Sequence, residues 1–285
     1  MSIWQSRGLL IYCSCVAFAL GAVFGSFLNC VAWRITHGES ALRGRSHCPS
    51  CGHVLGPAEL VPIFSWLFQR GRCKSCGVKI PARYPLTELV FAVLTLLCLL
   101  RFDLTWLCLR NWVFLGCLFV LTLTDLDDCI IPDGCHIVAV LAWLIGALLM
   151  RTPWQDMLRS LLAGLLFGGG ILGVSLLMDR LLGRDSLGGG DIKLFAVCGL
   201  YLGFVGTLFA VMLSCVLGLG FAALRKRMHP DGKKEFPFGP AIAAAAALML
   251  LFGDPLIKWY TSLSILAAAV SASGAASSLA AHGRD

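Results

Sequence analysis

The chain has 285 residues, of which 58% are hydrophobic and only 14% charged, with a mean hydropathy of +0.82 and a net charge of +7. No soluble domain has enough interior to hide that much apolar surface, so the composition excludes a soluble globular protein and points to an all-α integral membrane protein. The charge does not indicate nucleic-acid binding either, because no basic run is interleaved with aromatic residues in a foldable soluble module.

At ~20 apolar residues per crossing there is room for about eight transmembrane helices and one polar module. Apolar runs place the spans near 9–32, 85–100, 107–124, 135–150, 157–178, 191–204, 205–224 and 237–252. Segments 135–150 and 191–204 are short for a bilayer and call for tilt or local thinning. Ala17-Phe18-Ala19 resembles a signal-peptidase site. Hydrophobicity continues past it to Trp33 with the basic flank following, which suits an uncleaved anchor with its N-terminus outside. The expected organisation is a first transmembrane helix (1–33), a cytoplasmic four-cysteine module (34–84), a seven-helix membrane domain (85–253) and a variable tail (254–285). In that tail Leu263–Ala281, rich in Ala and Ser, reads as a ninth helix, a periplasmic extension or a disordered end.

Basic residues set the orientation. Arg34, Arg43, Arg45, Arg70, Arg72, Lys74, Lys79 and Arg83 follow span one. Arg180 and Arg184 lie between spans five and six with Lys193 just past them, and Arg225, Lys226, Arg227, Lys233 and Lys234 between spans seven and eight. Together they make 16 of the 23 Lys and Arg residues; Arg7, Arg101, Arg110, Arg151, Arg159, Lys258 and Arg284 fall on the other side. The positive-inside rule then puts the polar module in the cytoplasm.

That module holds Cys48-Pro49-Ser50-Cys51 and Cys73-Lys74-Ser75-Cys76, separated by 21 residues, and Gly52 and Gly77 follow the two pairs. Each turn lets two thiolates face one ion while the glycine frees backbone amides to point at the sulfurs, so Cys48, Cys51, Cys73 and Cys76 are the candidate zinc ligands. Four protein ligands leave no open position, and a loop of ~50 residues has little core of its own; the metal is expected to be structural. A reducing cytoplasm argues against disulfides. His47 and His53 read as surface residues or as donors to the thiolates. The other ten cysteines sit mostly in spans as small apolar fillers.

Two acidic segments remain. Asp125, Asp127, Asp128 and Asp133 lie between Thr122 and Asp133 with no Lys or Arg among them, where span three meets span four. Such clustering is electrostatically unfavourable and favours a shared proton; as a plain reading it is a hydrophilic hairpin bent at Pro132-Asp133-Gly134. The second segment is Gly188-Gly189-Gly190-Asp191. Its glycines suggest an extended backbone open to close approach by another chain, with Asp191 opening an apolar helix whose dipole favours its charged form. The plainer alternative is a glycine turn with an N-cap Asp. Lys193 reads as an interface residue, or else as a partner of Asp191 or of substrate. Because two spans separate these segments, both return to one face, where paired carboxylates supply an acid and a base for hydrolysis without a metal or covalent intermediate.

These residues carry an extensive resemblance. The segments in question are Gly25-Ser26-Phe27-Leu28-Asn29, the two cysteine pairs, Val61-Pro62-Ile63-Phe64-Ser65-Trp66-Leu67, Gly71-Arg72-Cys73 and Arg83-Tyr84-Pro85-Leu86-Thr87-Glu88-Leu89. Thr124-Asp125-Leu126-Asp127 with Ile131-Pro132-Asp133, Gly188 to Lys193, and Pro237-Phe238-Gly239-Pro240 complete the set. Over residues 20 to 260 the chain resembles type IV prepilin peptidases, the leader peptidase and N-methyltransferase enzymes of type IV pilus and type II secretion systems.

The resemblance implies a GxGD aspartic endopeptidase of the bacterial inner membrane with its active site facing the cytoplasm. Asp125 and Asp191 would form the catalytic pair, with Asp127, Asp128 and Asp133 supporting. Its substrates would be membrane-anchored prepilins or pseudopilins, cut after the glycine that ends a short basic leader. The new N-terminal residue would then be methylated from S-adenosylmethionine, although the chain has no Rossmann-type glycine fingerprint and no residue is marked as binding that cofactor. Arg83 and Glu88 match the family pattern and read as interface anchors, while Phe236, Pro237, Phe238 and Pro240 read as a rigid opening of span eight near the site. A proton- or cation-relaying transporter would need its acids near mid-span rather than at span ends. A non-enzymatic scaffold would use only the zinc loop.

Overall fold

Ser6 opens the first helix by accepting the Leu9 amide on its hydroxyl, and α1 then runs without interruption over Arg7–Thr36. The computed structural model describes residues 3–41, 44–183, 187–228 and 237–282; Arg43, Arg184, Lys233, Lys234, Phe236 and Arg284 lie outside them. After α1 comes an irregular module whose only longer element is the five-residue α2 (Phe64–Phe68). The helices α3 (Arg83–Phe102), α4 (Trp106–Asp128), α5 (Asp133–Leu149), α6 (Trp154–Leu182), α7 (Gly189–Met228) and α8 (Gly239–His282) follow. No strand occurs among the described residues.

Six of these helices are long and apolar enough to cross a membrane, and α5 is a shorter apolar helix. The protein is therefore a multi-pass, all-α membrane protein. At 1.5 Å per residue α7 would be ~60 Å long, about twice the hydrocarbon thickness. It is broken at Gly203 (φ 66°, ψ −173°), a conformation open to glycine because no Cβ obstructs it. Counted as two arms, α7 raises the tally to eight apolar segments in the expected order. The expected end of span eight at 252 is not a helix end, since α8 continues through Pro255 to His282.

Helix α4 is the most buried of the spans and packs against α1, α3, α5 and α8. Its Phe114 stacks on Tyr201 of α7 with ring centroids 3.9 Å apart, and the Tyr201 hydroxyl donates to the Ala139 carbonyl of α5 at 2.8 Å. Trp112 donates its indole N–H to Thr95 Oγ1 at 2.9 Å, tying α4 to α3. These two bonds pair the polar ends of Tyr201 and Trp112 where lipid offers no alternative partner.

Where helices meet without bulky side chains, small residues set the spacing. A Cβ on Gly199 would lie 2.5 Å from Gly164 Cα, so the first arm of α7 and α6 touch backbone to backbone. Gly199→Val is accordingly expected to force the two apart and lower unfolding stability in detergent by about 1–3 kcal/mol. A thermal midpoint equal to that of the wild type would show that this contact is not made.

Candidate active site and candidate metal centre

The last turn of α4, the Ile131-Pro132 link into α5 and the first turns of α7 and α8 converge at one end of the bundle. Asp125 is buried at 4% exposure, and its Oδ2 accepts the Gly239 amide at 2.9 Å. That amide opens α8 and has no partner within its own helix, so Asp125 supplies the acceptor at a positive helix end. Asp191, in the first turn of α7, is 7% exposed and lies within electrostatic reach of Asp125. Its Oδ1 is buried without a hydrogen-bond partner among the described residues. The two candidate acids, 66 positions apart in sequence, are thus both buried and within electrostatic reach of each other.

Ile131 packs against the helix starts on either side, beside Gly190 and Gly239. A Cβ on Gly190 would lie 2.6 Å from Ile131 Cβ, and one on Gly239 would lie 3.4 Å from Ile131 Cδ1 and 2.7 Å from Asp125 Oδ2. A side chain at 239 would therefore have to push the Asp125 carboxylate aside. In the sequence the only sign of it was the Pro-Phe-Gly-Pro segment in the resemblance. Gly239→Ala is expected to displace the Asp125 carboxylate from the α8 amide and lower the thermal midpoint in detergent by a few degrees while the protein remains in the membrane.

The structure corrects one expectation at this site. Gly188 to Gly190 is not extended: Gly189 and Gly190 already belong to α7, and the Gly188 carbonyl accepts the Asp191 amide at 3.1 Å. Close packing of Gly190 on Ile131 rewards the helical start that glycine propensity alone disfavours. Asp191 therefore sits inside the first turn and does not cap it.

The flanking charges are paired. Arg83 at the start of α3 grips Asp127 through both guanidinium nitrogens, with Nη2 to Oδ2 at 2.9 Å, which locks the end of α4 to α3. Lys193 reaches Asp133 at 2.7 Å and joins α7 to α5; it is thus neither a plain interface residue nor a partner of Asp191. Asp128 is exposed. Glu88 is buried and accepts the Ile63 amide at 2.6 Å, anchoring the polar module to α3. Asn29 of α1 donates to Thr87 at 2.5 Å. Arg83 and Glu88 are therefore internal fasteners, a role hidden in sequence because their partners lie far along the chain.

Within the polar module the two cysteine turns repeat each other. Gly52 N donates to the Cys48 carbonyl and Gly77 N to the Cys73 carbonyl, both at 2.9 Å, with φ 71° at each glycine. Cys48 N likewise donates to the His53 carbonyl and Cys73 N to the Val78 carbonyl, again at 2.9 Å. The four sulfurs lie within 4.8 Å of one another, with Cys48 and Cys76 Sγ 3.9 Å apart. Tetrahedral zinc with ~2.3 Å bonds sets sulfurs ~3.8 Å apart, so the residues fit the ion. Amides of Ser50 and Cys51 point at Cys48 and bring its thiol down to about 7; those of Cys76 and Ser75 lower Cys73 in the same way. His53 is outside this cluster and pairs with Glu59 at 3.1 Å, and the His47 ring meets Trp33 edge-on. Both belong to the module's frame.

Residues 19–102 match the bacterial peptidase A24 N-terminal domain, and residues 112–223 match the type IV leader peptidase family. The chain belongs to the type IV leader peptidase family. A prepilin leader peptidase/N-methyltransferase of Bacillus subtilis is 35% identical over 253 residues, covering 88% of this chain and 98% of that protein. Proteins of the same description from Pseudomonas aeruginosa (32% identical, covering 85% and 91%) and Myxococcus xanthus (37%, covering 79% and 68%) are also similar. No solved structure matches the chain. The two family segments divide the chain between the cysteine module with its flanking helices and the helices that carry both candidate acids, and family members are aspartic peptidases.

Proposed function

We propose that the chain cleaves the leader from prepilins or pseudopilins at the cytoplasmic face of the bacterial inner membrane, using Asp125 and Asp191 as a dyad, and then N-methylates the new terminus. The observation that carries this reading is the joint burial of those two carboxylates at one end of the bundle, Asp125 held by Gly239 and Asp191 with one oxygen unpartnered. Orientation follows from the basic residues, which concentrate at the end where the acids lie.

A precursor anchored by its own apolar helix would bring its leader junction between the end of α4 and the first turn of α7. One carboxylate takes a proton from water as that water attacks the scissile carbonyl. The other, protonated, gives its proton to the carbonyl oxygen; the roles then reverse, the first acid handing its new proton to the departing amine while the second takes one back as the carbonyl re-forms. Neither acid bonds covalently to substrate. Burial strengthens these interactions by excluding bulk water from the reacting groups.

Zinc held by Cys48, Cys51, Cys73 and Cys76 would stabilise the polar module and take no part in peptide cleavage. Methyl transfer is supported by the relatives' names, and S-adenosylmethionine would supply the methyl group when bound. Incubating the purified protein in detergent with a precursor peptide tests the reading. Cleavage after the leader glycine that persists in chelator and in serine reagents supports it, and ion flux without cleavage would point to a transporter.

A further inference from the structure

Most exposed large apolar side chains of the protein lie on its membrane-spanning helices, but one group sits in the polar module. Helix α2 carries Phe64, Leu67 and Phe68, which are 58%, 61% and 82% exposed, and Leu60 and Val61 just before it are exposed as well. Positions i, i+3 and i+4 fall on one face of a helix. The opposite face is the one the module uses. There the Trp66 indole N–H donates to the Ile80 carbonyl at 3.0 Å, and Gly71 packs against the same ring. The module's own fold thus leaves a cluster of large apolar side chains pointing outward, which marks an interaction surface.

The position of α2 says what meets that surface. Ile63, the residue before the helix, donates its amide to Glu88 at 2.6 Å while holding φ 64°, a left-handed value unfavourable for a β-branched residue. Glu88 belongs to the second turn of α3, a membrane-spanning helix, and Leu86, Leu89 and Val90 around it are exposed apolar residues. Helix α2 therefore starts at the level where α3 meets lipid. Arg70, Arg72, Lys74 and Lys79 follow it in sequence, and all four are exposed. An apolar face with basic residues beside it suits a headgroup layer, with the apolar side chains among the upper acyl chains and the cations near lipid phosphates. We propose that the outer face of α2 docks on the bilayer, placing Phe64, Leu67 and Phe68 in the interface of anionic phospholipids and holding the polar module flat against the membrane. This goes beyond the peptidase reading and does not depend on it, since it requires only that α3 cross the membrane.

The test places the photo-cross-linking residue p-benzoylphenylalanine at position 68, and separately at 64, in the full chain reconstituted into vesicles of phosphatidylethanolamine and phosphatidylglycerol. Phe68 and Phe64 are both exposed aromatics, so the larger ring has room at either position. Irradiation is expected to give phospholipid adducts as the main product at both, identified by mass spectrometry of the labelled peptide. Arg70→Gln combined with Lys79→Gln should lower the adduct yield at 68 by about two- to five-fold, because each basic residue near the surface adds to the attraction for anionic lipid. Adding a precursor peptide should leave the lipid adducts unchanged. An absence of lipid adducts at both positions, a cross-linked dimer of the chain as the main product, transfer of the cross-link to the precursor, or a yield indifferent to the two charge substitutions would each overturn the proposal.

Discussion

Asp125→Asn and Asp191→Asn should each cut the rate of leader cleavage by about 10³-fold or more while leaving the protein folded in the membrane. The size follows from the proposed roles, since a positioned general acid or base is worth 10² to 10⁴ in rate and each acid serves in both halves of the reaction. Folding should survive for different reasons at the two positions. At 125 the Asn oxygen still accepts the Gly239 amide, which sits 2.9 Å from the carboxylate. At 191 the affected oxygen has no bond to lose among the described residues. Circular dichroism and the thermal midpoint in detergent should match wild type. Asp127→Asn should behave in the opposite way, weakening the clamp by Arg83 at the end of α4 and lowering stability more than catalytic rate. Near-normal cleavage by either dyad variant would remove the proposed mechanism.

Cys73→Ser should abolish zinc binding and open the polar module. Structural zinc contributes ~10–16 kcal/mol in small peptides, far more than the sparse apolar contacts of this loop supply, so replacing one ligand should release the ion altogether. The helices should persist, because the module is fastened to the bundle at a few points, chiefly the Glu88 to Ile63 bond. The expected results are near-zero zinc by elemental analysis and new protease cleavage between residues 40 and 80, with only a small fall in the bundle's thermal midpoint. Methylation should suffer more than cleavage, as both proposed catalytic acids lie outside the module; mass spectrometry of the product N-terminus distinguishes the two. Stoichiometric zinc in Cys73→Ser, or loss of cleavage with methylation intact, would contradict the assignment.

The helical plan was legible because apolar runs and basic flanks are local properties of a membrane chain. Even the division of α7 was readable, since no single helix of that length matches a bilayer and Gly203 stands at the break. The groups that the fold gathers were legible by residue type: thiols in paired turns, and acids at span ends. What escaped depends on contacts between distant segments. Triple glycine reads locally as an open strand, and only packing on Ile131 makes it the start of a helix. Lys193 gives no hint in sequence that its partner is Asp133, sixty positions away. Gly239 looks like part of a bend until its amide is seen on Asp125.

Cleavage kinetics of Asp125→Asn, Asp191→Asn and the double variant, measured on one precursor peptide, address the central claim most directly. If the two acids handle a single water together, each single variant drops to the same residual rate and the double variant is no slower, because half a dyad is as inactive as none. Losses that multiply in the double variant, or full activity in either single one, would mean that residues 125 and 191 do not form one catalytic unit.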